Sequence, residues 1–314
     1  MKSITVFGPV NLDVSAGPVS FSALSSGSLP VENMLLSFGG DALNESVVLN
    51  RLGADVQLVS KVGCDQAGEQ ILRFLAAEGL SLHSIRQCPD WPTSINIVLV
   101  DPDGARYFLT SPKGSMRHMT SGDYMPDLPD AANLVCFPGM FVSPQLTIPS
   151  METLFRAVKQ KPGRILAVDM TKAKHGETLS DLSGLLPLVD YIFPNEAEIA
   201  LLTGQPDPFR NARLLLDFGV RCAVIKRGKR GCLLANEQGI KEIPAYPVSK
   251  AIDTTGAGDA FTAGFLFALL QEMPPEDCAL FANAVASCIV ESFGSCRGLS
   301  SVELPMRRFR EMKK

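Results

Sequence analysis

Long apolar runs are missing from this 314-residue chain, and no stretch approaches the roughly 20 residues needed to span a bilayer. The opening segment Met1–Gly8 is too short an apolar run for a signal peptide, which points to a cytoplasmic protein. Paired cysteines are missing too. None of the eight forms a CxxC pair, and the three histidines lie away from them, so zinc-site spacing is excluded. A core of this size, burying roughly three quarters of the unfolded surface, needs no disulfide framework. Positive charge is not in excess, with 29 Lys and Arg against 33 Asp and Glu and a net charge of −4. That excludes a large electrostatic footprint for nucleic acid or anionic lipid. Also absent are GxxxxGK[ST] and GxGxxG, which removes the P-loop and dinucleotide-binding classes.

What is present is alternation. Apolar runs recur at Ile4–Phe7, Val56–Val59, Ile95–Val100, Leu134–Phe137, Ile165–Val168, Tyr191–Phe193 and Ala223–Ile225. Helix-period segments such as Asp65–Ala77, Met151–Lys159 and Phe209–Phe218 lie between many of them. Continuous apolar strands alternating with amphipathic helices predict an α/β fold, a mostly parallel sheet covered by helices on both faces. No linker or repeat divides residues 1–314, so one domain is expected. Two segments break the pattern, at about 14–38 and 94–110. The second reads as a hairpin around Asp101-Pro102-Asp103-Gly104. They form either a small separate sheet serving as a lid or two surface excursions.

The most informative stretch is Asp253-Thr254-Thr255-Gly256-Ala257-Gly258-Asp259-Ala260-Phe261. Phe261, Phe265 and Leu269 share one helical face, so a buried helix is predicted from near Ala257 to about Met273. The unpaired amides and positive dipole end of such a helix suit a phosphate. Asp259 would then take a proton from an attacking hydroxyl while the Gly256–Gly258 amides hold a phosphoryl group. The plainer alternative is a first-turn acid stabilising a helix after a tight turn.

This string resembles the signature of the ribokinase-like (PfkB) carbohydrate kinases, and the resemblance extends from Gly8 to about Gly298. It implies a ribokinase-like fold with a β lid and ATP-dependent phosphorylation of a small sugar with Mg²⁺. A homodimer joined through the lid is a further implication. Asn11 and Asp13 match residues that hold the acceptor sugar, an Asx turn being the alternative. In Phe38-Gly39-Gly40-Asp41-Ala42-Leu43-Asn44, the resemblance implies sugar contacts for Gly39, Gly40 and Asn44 and a specificity role for Asp41. Asn195 and Glu198 match an NxxE motif organising magnesium, although a capped helix start explains them equally. Lys226, Gly228 and Asn283 match nucleotide contacts, with Lys229 and Arg230 left as surface charges. Asp253, Thr255, Ile289, Ser292, Gly294 and Gly298 match positions that hold a monovalent cation such as K⁺ in some relatives.

The chain departs from that pattern in two places. Pro138-Gly139-Met140 stands where ribose kinases carry a glutamate, which puts ribose in doubt. Met170-Thr171-Lys172-Ala173-Lys174 follows Val168-Asp169, and a lysine there could pair with an acidic sugar or phosphate, or simply face solvent. Aromatics for stacking a base are scarce, Phe38 and Phe108 being the candidates. A kinase of a nucleoside or other ribosyl compound, and a non-catalytic sugar sensor, stay open as alternatives.

Overall fold

The computed structural model describes residues 3–102, 106–292 and 294–314. The hairpin turn expected at Asp101–Gly104 lies partly outside them, at Asp103 and Gly104. A nine-stranded sheet runs through the molecule. Its strands are β1 (Ser3–Phe7), β4 (Asp55–Gly63), β5 (Ile85–Cys88), β8 (Leu134–Met140), β9 (Ile165–Met170), β10 (Tyr191–Phe193), β11 (Cys222–Lys226), β12 (Cys232–Asn236) and β13 (Gly239–Ile243). Their spatial order is β13-β12-β11-β10-β9-β8-β1-β4-β5, parallel from β11 to β5 and antiparallel at the β11–β12 and β12–β13 pairs.

The continuous apolar runs follow from burial on both faces. Along β8, Leu134 and Cys136 join one core while Val135 and Phe137 join the other. The first core is covered by α1 (Asp41–Leu52), α2 (Gln66–Ala77), α7 (Ala257–Leu270), α8 (Pro275–Val290) and α9 (Glu303–Met312). Over the second lie α3 (Ser121–Tyr124), α4 (Ile148–Lys159), α5 (Glu196–Thr203) and α6 (Pro208–Asp217). Asp65 accepts from the Gly68 N–H as the cap of α2 rather than forming its first residue. The helix expected from near Ala257, α7, stops at Leu270, short of the expected Met273. Pro274 and Pro275 open the next helix, and proline disfavours helical backbone in the residue before it.

The two irregular segments contribute to a separate four-stranded sheet of β2 (Asn11–Gly17), β3 (Asn33–Gly39), β6 (Ile95–Val100) and β7 (Arg106–Thr110), in the order β3-β2-β6-β7. The pleat sends alternate side chains to opposite faces. Paired registers put Asn11, Asp13, Asn96 and Ser37 on one face, shared with Leu35, Val98 and Phe108, and Val14, Leu36, Met34, Ile97, Leu109 and Tyr107 on the other. From β1 the chain builds outward to β4 and β5, then returns through β8 to β11 on the other side. The strand order therefore reverses between β1 and β8. Open α/β sheets place ligands outside the carboxyl ends of the strands at such a switch point.

Candidate active site

The small sheet delivers the first group of residues. Asn11 Nδ2 donates to Asp13 Oδ1 at 2.5 Å, and Asn96 Nδ2 donates to the same oxygen at 2.9 Å. Burial raises the Asp13 carboxyl, with the Asn96 and Asn11 hydrogen bonds opposing it. Gly39 pairs with Asn11 across β2 and β3, and a Cβ there would lie 2.2 Å from Asp13 Oδ2. Gly40 has φ +96°, and its Cβ would lie 2.5 Å from the Pro9 carbonyl. It caps α1, which carries Asn44 one turn in.

Asn44 joins the two halves of the site. Its Nδ2 donates to Asp259 Oδ2 at 2.6 Å, across 215 residues of sequence. Asp259 stands in the first turn of α7 after Gly256, which is left-handed at φ +73° and tight against the Ser295 carbonyl. No side chain caps this turn. The Ala257 N–H is directed to Thr254 O at 3.3 Å, so an anion here would meet chiefly the Gly256 and Gly258 amides.

Behind Asp259 lies a charged network. Lys226 Nζ donates to both oxygens of Asp169, at 2.8 and 2.6 Å, and Thr262 Oγ1 donates to Oδ2 at 2.7 Å. Burial would lower the Lys226 ammonium, but the Asp169 and Glu198 charges push it up to about 12. Burial pushes Asp259 up to about 6, helped by the Asp169 charge and opposed by Asn44 and Lys226. Asn195 and Glu198 form the reciprocal cap of α5: Asn195 accepts from the Glu198 N–H at 2.9 Å, and Glu198 Oε2 accepts from the Asn195 N–H at 2.7 Å. The plain helix-start reading of that motif therefore holds. Both residues also line the main cleft, where burial pushes Glu198 up to about 7.

That cleft has a volume of about 720 Å³, within the size range of small-molecule sites. Asp41, Asp169, Lys226, Gly228, Asp259 and Asn283 are on its wall. Asn283 is buried and donates to Ala279 O. Lys229 and Arg230 are both exposed as expected; Arg230 pairs with Glu196, and Lys229 also reaches the cleft wall. A nucleotide fits this lining: it offers a deep slot, a lysine, and a helix end without a cap. Among the described residues no cluster of three or more His, Cys, Asp or Glu is arranged to hold a metal. Magnesium keeps several waters and takes few protein ligands, so one carboxylate such as Glu198 with bound phosphates matches it.

The residues expected around a monovalent cation do converge. Asp253 Oδ1 accepts from the N–H and hydroxyl of Thr255, and its Oδ2 accepts from the Gly294 N–H at 3.0 Å. A Cβ on Gly298 would lie 2.0 Å from the Cys288 carbonyl, next to Ile289, whose own carbonyl accepts from the Ser292 N–H. The Asp253 carboxylate thus ties the two loops together, which leaves backbone oxygens as the donors suited to K⁺.

Three residues escaped the sequence reading. Asn96 could have been found as the one polar residue in the apolar run of β6. Asp169 carried a weak signal, an acid ending an apolar strand. Glu45 left no such mark in the sequence: it is completely buried in α1, with one oxygen accepting from Cys136 Sγ at 3.2 Å and the other unpartnered. Burial holds Glu45 and Asp41 well above the usual carboxylate range, and the Asp259 and Asp169 charges add to the effect. Of the two candidate stacking aromatics, Phe38 is occupied against Phe74 at 4.3 Å, while Phe108 shares the face of Asp13 and stays exposed.

Comparison with known proteins places this arrangement. The model of the pfkB family carbohydrate kinases matches residues 1–301. The chain belongs to that family. It is therefore a phosphotransferase with an alcohol group as acceptor. An uncharacterised sugar kinase of Archaeoglobus fulgidus is 29% identical over 80% of this chain and 97% of its own length. A ribokinase of Haemophilus influenzae is 27% identical over 94% of both chains. The structure of an Arabidopsis thaliana ribokinase complexed with ribose and ATP superposes with a TM-score of 0.83 at 22% identity, covering 98% of each chain. That likeness shows the ribokinase fold. In this pfkB chain the small sheet stands beside the switch point, and the helix bearing Asp259 points its first turn into the cleft.

Proposed function

We propose that the chain transfers the γ-phosphoryl group of ATP to a hydroxyl of a small monosaccharide or sugar derivative, with Asp259 as the general base. One observation carries this: the Asn44–Asp259 hydrogen bond, which sets a carboxylate between the polar face of the small sheet and an uncapped helix end. Asp13, Asn11 and Asn96 offer donors and acceptors for sugar hydroxyls on that face. Gly39 and Gly40 let backbone approach the same space. Asp259, raised to about 6, is largely ionised at neutral pH yet basic enough to accept a hydroxyl proton as it develops. The Gly256 and Gly258 amides stabilise charge on the transferring phosphoryl group. Lys226, held by Asp169 and Thr262, keeps a fixed positive charge beside them.

ATP would lie along Gly228 and Asn283, and Mg²⁺ beside Glu198 and Asn195 would neutralise phosphate charge. The small sheet acts as a lid whose closure excludes water and limits wasteful hydrolysis. A K⁺ ion bound by the carbonyls around Asp253 would order the loop that leads into Gly256.

An ATP-consumption screen over pentoses, hexoses, sugar acids, sugar phosphates and nucleosides tests the reaction. At least one acceptor should be turned over, and Asp259→Asn should lower kcat by about 10²- to 10⁴-fold while ATP still binds. Full activity in that variant rules out the assigned base.

A further inference from the structure

We propose that Arg308, on α9 and behind the cleft wall, is a positioning residue for the nucleotide: it fixes the two walls that receive the base of ATP. The inference rests on the reading of the cleft as an ATP site.

Lys226 and the uncapped first turn of α7 make one part of the cleft fit for phosphates. The remaining lining has a different character. From α8 come Asn283, Ala286, Ser287 and Val290, spaced to share one helical face. From the segment that joins β13 to α7 come Tyr246 and Val248. A slot of small and apolar side chains with few polar groups suits a flat ring better than a phosphate.

The α8 wall is held by its own helix, but the second wall has no such support. Residues 244–251 belong to no helix or strand, and Pro244 and Pro247 have no N–H to donate. Contacts of the Tyr246 side chain hold this stretch instead. Its ring lies under the Arg308 guanidinium, with Cζ 4.8 Å from the ring centroid, and its hydroxyl donates to Glu311 Oε2 at 2.7 Å. Arg308 and Glu311 are neighbours three residues apart on α9.

Arg308 also reaches the first wall. Its Nη1 donates to Ser287 Oγ at 2.8 Å, and its Nη2 donates to Glu291 Oε2 at 2.5 Å. The Ser287 hydroxyl donates to Ala284 O at 2.6 Å, which leaves its oxygen to accept from the guanidinium. The helix that carries Arg308 is seated on α8 by Phe309, packed edge-on against Phe281 at 5.9 Å, and by the Lys313–Asp277 ion pair at 2.7 Å. Arg308 is only 8% exposed, a setting in which charge-assisted bonds and stacking on an aromatic face count for more than at the surface. One side chain thus ties the loop wall to the helix wall. It does not itself line the cleft and acts through Tyr246 and Ser287.

The test is equilibrium binding to the full chain with Mg²⁺ present, using ATP and inorganic tripolyphosphate as probes. No turnover is needed, so a failure of Asp259 as the base leaves the result unaffected. Arg308→Met keeps a long apolar stem and removes the guanidinium. It should weaken ATP by about tenfold or more and tripolyphosphate by less than about twofold, because only the base loses its walls. Arg308→Lys should recover part of the ATP affinity, since an ammonium can replace one of the bonds but not the planar fork. Tyr246→Ala should weaken ATP in the same way, and combining it with Arg308→Met should cost little more, because both act through one contact. Equal ATP affinity in the parent and Arg308→Met overturns the proposal. So does a parallel loss of tripolyphosphate, which marks a general distortion of the site. A parent chain that binds tripolyphosphate as tightly as ATP holds no base in the slot, and that result ends the ATP reading together with the proposal.

Discussion

At the scale of single residues, the site is a set of carboxylates kept apart in role by their surroundings. Asp169 is saturated by Lys226 and Thr262, whereas Asp259 has Asn44 and is raised to about 6. A base must be ionised to act, so activity should be present above that value and lost as pH falls through it. The kcat/KM profile should show an acidic limb near pH 6, absent from the residual activity of Asp259→Asn. Because Asp41, Glu45 and Asp169 sit in the same field, the limb reports the group rather than one isolated carboxyl. Gly39 makes a separate point about space. Its missing Cβ leaves room for Asp13, so Gly39→Ala must displace that carboxylate by an ångström or more. We expect KM for the acceptor to rise by about tenfold or more with ATP affinity unchanged, measured by steady-state kinetics in both substrates.

At the scale of elements, α7 has two jobs that constrain its sequence differently. Its first turn presents Gly256, Gly258 and Asp259 to the cleft. The rest is packed on nearly all sides, against α1 and α8, so its apolar residues do not form a single stripe. Gly264 belongs to that packing, since a Cβ there would meet Val285 Cγ2 at 2.9 Å and Ala282 Cα at 3.1 Å. Gly264→Val should therefore destabilise the protein by about 1–3 kcal/mol through overpacking, read as a lower denaturation midpoint. Tilting α7 also moves Asp259 relative to Asn44, and kcat in that variant should fall more than the loss of folded protein explains.

At the scale of the whole molecule, the small sheet is the unfinished part. One of its faces carries Asn11, Asp13 and Asn96. The other exposes Met34, Leu36, Ile97, Tyr107 and Leu109, with Met34 72% and Leu109 57% exposed. A contiguous apolar face of this kind calls for a partner, and a second copy bringing the same face satisfies it with two-fold symmetry. The mass in solution should be that of a dimer of 33.8 kDa chains. Leu36→Glu with Leu109→Glu should yield monomers, shown by light scattering. A monomeric parent chain would leave the apolar face for another occupant.

How far the sequence reached depended on whether the signal was local. The alternation of apolar runs with helical periods was enough for a doubly covered parallel sheet, because strands buried on both faces must be apolar at every position. The glycines at 39, 40 and 256 and the acid at 259 were legible for the same reason: close backbone approach and an uncapped helix end each leave a residue-level mark. Nothing local marked the Asn44–Asp259 bond or the Lys226–Asp169–Thr262 network. Each joins segments that only the strand order brings together. The polarity of the small sheet is similar, since alternation along β2 and β6 becomes two opposed faces only after pairing fixes their register. Residue type and spacing determined what chemistry was on hand; packing of the two cores decided which groups share a site, because desolvation and charge act across space and not along the chain.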